Sequence, residues 1–124
     1  MPIIQHGDAP VFEVGDAIIT GLAAPSRGSQ EVCAWHVELA PGADVPAHRL
    51  DGEEVLVVTD GRLAISLNDE DAEVTAGGAV VVPPETWLAL RNPAAEPVRF
   101  VAAVTPGLIG TMHDGSTIAP PWAQ

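Results

Sequence analysis

Lysine is absent from this chain, and its five arginines face seventeen acidic residues, for a formal charge of −12. Such a field repels phosphate backbones and anionic lipid, so it argues against a nucleic-acid partner and against a membrane surface. Tyrosine is also absent, and aromatic residues make up only 4% of the chain. A core must then be filled by Val, Ala, Leu and Ile, and an apolar fraction of 47% is enough to build one. Cys33 is the sole cysteine, which rules out an internal disulfide. No apolar run approaches the roughly 20 residues needed to cross a bilayer as a helix. The opening Met1-Pro2-Ile3-Ile4-Gln5-His6-Gly7-Asp8 has neither the basic nor the apolar region of a signal peptide. The lone cysteine and this opening lead to the expectation of a cytoplasmic protein.

What the chain does have is strand after short strand, broken by Gly, Pro and Asp. Over residues 31–40, Cys33, Trp35, Val37 and Leu39 fall on one side, and Ala34, His36 and Glu38 on the other. This period of two predicts a half-buried strand. Residues 54–59 are rich in β-branched side chains and predict a buried strand. Asp60-Gly61 follows as a hairpin signal. Residues 62–67 return with Leu63, Ile65 and Leu67 inward, and Asn68-Asp69 turns again. Further strands are predicted over 72–75, 79–82, 86–91 and 98–104, separated by Gly77-Gly78, Pro83-Pro84 and Asn92-Pro93. No sustained helical period occurs between residues 10 and 105. The pattern predicts an all-β fold in a single domain spanning 1–124, with a barrel core over about 10–105. Residues 106–124 form a Pro/Gly-rich C-terminal tail, which is expected to be ordered, with Trp122 laid over apolar surface.

Gly42, His48, Glu54 and Gly61 together resemble the first conserved motif of the cupin superfamily, and Gly77, Pro83 and Asn92 resemble the second. The resemblance implies a double-stranded β-helix, a jelly-roll barrel of the RmlC-like kind with a pocket at one mouth. It also implies a homodimer. Metal-binding cupins hold a divalent ion with three histidines and a carboxylate, and such donors suit Fe, Mn, Ni, Cu or Zn. Here the frame is kept and half the ligands are missing. The second histidine position falls on Leu50 and the third on Leu88, which leaves His48 and Glu54 as the only metal donors. The glycine expected in the second motif is Glu85.

Leucine cannot donate to a metal, and two leucines make the pocket drier. No tightly bound cofactor is therefore expected. A divalent metal would need His36, Cys33, His6, His113 or Asp51 to join His48 and Glu54, and alternation puts His36 outside if Trp35 and Val37 are inside. The expected ligand pocket comprises Trp35, Val37, His48, Leu50, Glu54, Leu88 and Leu90. His48 and Glu54 are the candidate catalytic residues. They read equally as an acid–base pair, as two polar anchors for a ligand, or as a pair hydrogen-bonded only to hold strands together. Trp87 lies opposite the Leu88 face, so it is either covered by a partner subunit or packed under the tail. Arg27 sits in a polar loop from which it would reach a ligand carboxylate if it were not simply surface. Glu53 is expected in solvent, and Cys33 as buried filler. Two functions follow from these residues. One is the binding or sensing of a small organic molecule without metal. The other is an isomerase- or cyclase-type proton transfer by His48 and Glu54. A metal-dependent enzyme with nonstandard ligands is the third reading, and it requires His36, Cys33 or Asp51 to point inward.

Overall fold

Alternation in sequence becomes alternation in burial. In strand β3, Cys33–Leu39, the residues Cys33, Trp35, Val37 and Leu39 are buried and those between them are half-exposed. Strand β10, Val98–Val104, repeats the pattern with Val98, Phe100, Ala102 and Val104. The computed structural model describes all residues 1–124. Its other strands are β1, Val11–Val14; β2, Ala17–Ala23; β4, Asp44–Leu50; β5, Glu54–Asp60; β6, Arg62–Leu67; β7, Glu70–Thr75; β8, Ala79–Val82; β9, Leu88–Arg91; β11, Gly110–Met112; and β12, Thr117–Ile118. The remaining regular structure is three short 3-10 turns, and no helix is long and apolar enough to cross a membrane.

The strands form two six-stranded antiparallel sheets, ordered β1-β2-β3-β10-β5-β8 and β12-β11-β4-β9-β6-β7. Successive strands often cross from one sheet to the other, which is the jelly-roll topology expected from the sequence. The core fills the space between the sheets, with Phe100, Leu39, Leu56, Leu63 and Leu88 almost wholly buried.

Turn chemistry behaves as expected at one site and differs at another. Asn68 and Asp69 both adopt positive φ, at 48° and 67°, and close a two-residue hairpin between β6 and β7. Asp60-Gly61 does not make a hairpin. Strand β5 pairs with β10 and β8, and β6 pairs with β7 and β9, so this dipeptide turns a corner between the sheets. Gly61 has φ 79°, and a Cβ there would stand 2.9 Å from the Pro97 carbonyl oxygen.

Strands β1, β2, β4, β11 and β12 lie outside the segments assigned from the pattern. The last two change the status of the tail. Strand β11 pairs with β4, so residues beyond 105 are part of the barrel wall. Asn92, the last residue of the second motif, is 1% exposed and ties the barrel end together. Its Nδ2 donates to the carbonyls of Leu39, Ala40 and Glu96, and its Oδ1 accepts from the Ala94 N–H.

Candidate functional site

Between the sheets the side chains leave a cavity of about 350 Å³. Its wall is built by inward residues of β2, β3, β4, β5, β9 and β10, and by the C-terminal segment. All seven residues expected at the pocket line it: Trp35, Val37, His48, Leu50, Glu54, Leu88 and Leu90. Phe100, Ile19, Leu56, Met112 and Trp122 line it as well. Phe100 was findable from the alternation of 98–104. Trp122 was expected over apolar surface, but nothing in the sequence marked that surface as the cavity.

Glu54 opens β5, paired between Val104 and Val82 on the neighbouring strands. The position is dry, with the residue only 5% exposed and Oε1 lacking any hydrogen-bond partner. Burial without compensation pushes its carboxyl up from 4.5 to about 7. Its neighbour Glu53 points the other way into solvent, as strand geometry requires.

His48 sits on β4 just past a bulge in the β4–β9 pairing, where the register shifts between Val45 and His48. Pro46 lies in that bulge and has no N–H to offer the ladder. Its carbonyl instead meets His48 Nδ1 at 3.0 Å. A carbonyl only accepts, so Nδ1 carries the proton and the neutral ring keeps Nε2 as its acceptor. No hydrogen bond or ion pair joins His48 to Glu54. They are therefore two separate polar groups on one apolar cavity, and the strand-tying pair considered from sequence does not form.

The supplementary metal donors are elsewhere. Cys33 is fully buried, with Sγ 3.5 Å from the Ala123 carbonyl, and burial pushes its thiol up. His36 projects from the other face of β3, edge-on to His6 at 6.1 Å. Asp51 accepts from the Ile109 N–H. His113 stacks on Trp87 at 4.0 Å. None of these five lines the cavity, and no group of three or more His, Cys, Asp or Glu side chains assembles to hold an ion. The residues present do not fit the four-ligand cage of metal-binding cupins, nor the version with nonstandard ligands. Leu50 and Leu88 occupy the places where imidazoles would be needed.

Two further expectations resolve. Trp87 is packed under the tail by His113, and the Arg49 guanidinium lies 5.0 Å from the ring centre. Arg27 does not reach the cavity, because its guanidinium donates to the carbonyls of Leu22 and Trp122. The ionisable groups lining the cavity are Asp16, Asp44, Glu54 and His48, with no arginine among them.

No curated protein sequence matches the chain. Solved structures of similar fold include the polyketide cyclase RemF from Streptomyces resistomycificus, with TM-score 0.76 and 19% identity over 87% of this chain and 83% of that one. An RmlC-like cupin from Shewanella frigidimarina has TM-score 0.73 and 17% identity, covering 84% of this chain and 89% of that one. A predicted oxalate decarboxylase from Thermotoga maritima has TM-score 0.74 and 15% identity, covering 83% and 97% respectively. At these identities the likeness is one of fold. The family model for the cupin domain matches residues 35–104, which include both motif frames and the strands that carry His48 and Glu54, and the chain belongs to the cupin superfamily.

Proposed function

We propose that this cupin binds a small, neutral, largely apolar organic molecule in its barrel, without a tightly bound metal. The observation that carries the reading is Glu54: a buried carboxyl with an unpartnered oxygen on the wall of an apolar cavity. Buried polar groups are normally satisfied, and a ligand oxygen supplies what the protein does not. Size and charge narrow the class. An engineered cavity of roughly 150 Å³ holds benzene, so about 350 Å³ suits a two-ring molecule. Three carboxyl groups and no arginine at the wall disfavour an acid as ligand. The test is calorimetric titration with naphthalene, 2-acetylnaphthalene and 2-naphthoate. Binding of the neutral compounds, with naphthoate at least tenfold weaker, is expected. Preferred binding of naphthoate, or no binding of any of them, overturns the reading.

A second reading, proton-transfer catalysis, is favoured by one feature: a carboxyl at about 7 is poised to give and take protons near neutral pH. The fold neighbour described as a polyketide cyclase is consistent with it. In this reading His48 Nε2 removes a proton from the carbon next to a carbonyl while Glu54 protonates the carbonyl oxygen, which forms an enol. Reversal in D₂O leaves deuterium on that carbon. Nuclear magnetic resonance of 2-acetylnaphthalene in D₂O reads the exchange at its methyl group. Exchange above background that His48→Ala and Glu54→Gln both abolish supports catalysis. Exchange at the background rate limits the protein to binding.

A further inference from the structure

The C-terminal segment supplies a second unsatisfied polar group to the same cavity. Trp122 lines it, with its ring edge-on to Trp35 at 6.3 Å and to Phe12 at 6.0 Å. Indole nitrogens in protein interiors usually donate to an acceptor. The Nε1 of Trp122 is buried and has none. Glu54 Oε1 is the other buried polar atom without a partner that belongs to a residue of this wall.

The orphan is not explained by a loosely placed side chain. The segment Pro120–Gln124 is anchored to the body of the protein at several points. Arg27 Nη2 donates to the Trp122 carbonyl at 2.9 Å, and the Ser26 N–H donates to the Gln124 carbonyl at 3.0 Å. The Cys33 thiol meets the Ala123 carbonyl, and Ala123 itself is buried in the core. All of these contacts involve the backbone or neighbouring residues. They hold the indole in place and leave its one polar atom free. A segment docked this firmly around an unsatisfied donor marks the donor as reserved.

We infer that the Trp122 Nε1–H is the group that selects an oxygen-bearing ligand over a hydrocarbon of the same shape. It donates to a carbonyl, ether or hydroxyl oxygen. The class of ligand is then an apolar ring system carrying at least one neutral oxygen acceptor. A hydrocarbon fills the cavity equally well but leaves the indole unpaired, and that difference is the source of the preference. The inference rests on the proposed binding of an apolar molecule in this cavity.

The experiment compares 2-acetylnaphthalene with 2-isopropenylnaphthalene, in which CH₂ replaces the carbonyl oxygen and the shape is kept. Their affinities are measured for wild type and for Trp122→Phe, with circular dichroism as the check on fold. The readout is the ratio of the two affinities, because ring area lost on replacing Trp by Phe weakens both ligands alike. A ketone preference that falls about tenfold in Trp122→Phe is expected. An unchanged ratio overturns the inference and leaves the binding proposal standing. Failure of both ligands to bind wild type removes the binding proposal, and this inference with it. If Trp122→Phe does not fold, the indole N–H resonances of the wild-type protein decide. The Trp122 signal, assigned from its contacts to Phe12 and Trp35, moves downfield with the ketone and not with the alkene. An unmoved signal overturns the inference.

Discussion

His48 and Leu88 stand directly opposite one another across the antiparallel pair β4–β9. The donor and the missing donor of the metal frame are therefore cross-strand neighbours, and Leu50 follows His48 at the next position on the same face of β4. The backbone that would present a metal cage is intact, and what differs is side-chain chemistry. Installing Leu50→His and Leu88→His together with the resident His48 and Glu54 is expected to create near-stoichiometric binding of a divalent transition metal. Elemental mass spectrometry of untagged protein, purified without added metal or chelator, checks this against wild type, for which substoichiometric metal is expected. Near-stoichiometric metal in the wild-type protein would mean that His48 and Glu54 had recruited ligands not found at this wall.

Glu54 imposes a pH dependence whose sign is fixed by burial. Below pH 4.5 the group is protonated in both folded and unfolded chains, so it adds no difference between them. Between 4.5 and about 7 the unfolded chain gives up the proton while the folded one keeps it, and stability falls as pH rises. Above about 7 the penalty is complete, at most about 3 kcal/mol. Glu54→Gln removes the titration. Urea melts at pH 4 and pH 8 are expected to show the variant gaining on wild type by up to about 3 kcal/mol between the two. A difference that does not change with pH would contradict a protonated, buried carboxyl.

Asn92 is expected to be structural, although it belongs to a motif. Asn92→Asp keeps size and shape and the acceptor for the Ala94 N–H. It sets a carboxylate oxygen against the carbonyls of Leu39, Ala40 and Glu96, the nearest at 2.7 Å. A loss of about 3 kcal/mol is expected by chemical denaturation, because a buried acceptor then faces acceptors. Ligand affinity measured below the melting transition is expected to be unchanged, since Asn92 does not line the cavity. A large change in affinity at unchanged stability would reassign it to the site.

Where one face of a strand is buried, the sequence was legible. Trp35, Val37, Leu88 and Leu90 were placed on the cavity wall by alternation, and His48 and Glu54 by the spacing of the motif glycines around them. Strand β4 was not legible, since Asp44, Pro46 and Arg49 interrupt its apolar face and a bulge breaks its register. Trp122 was beyond reach for a different reason. Its place on the wall depends on Arg27 and Cys33, residues remote in sequence, and on backbone carbonyls that any residue would provide. Asp60-Gly61 gave the right turn and the wrong topology. A dipeptide sets local φ but does not decide whether the next strand pairs with the last.

Two turn positions, Gly61 and Glu85, separate conformational need from sequence identity. Both have positive φ, at 79° and 60°, yet one is glycine and the other is not. At Gly61 a Cβ would meet the Pro97 backbone oxygen at 2.9 Å, so Gly61→Ala combines strain with a clash that backbone cannot easily relieve. A loss of 2 kcal/mol or more, on the order of other incompatible glycine replacements, is expected. Glu85 already carries the strain of a left-handed residue, offset in part by an exposed pairing with Arg49 at 3.3 Å. Exposed pairs of this kind contribute about 0–1 kcal/mol, and a left-handed non-glycine residue costs about 1–2 kcal/mol. Glu85→Gly restores the glycine of the cupin frame and is expected to leave stability unchanged or raise it by up to about 1 kcal/mol, after the added entropy of the unfolded chain. Thermal melts of the two variants beside wild type check the contrast. A Glu85→Gly variant destabilised as much as Gly61→Ala would mean that the Arg49 contact, not backbone conformation, governs this turn.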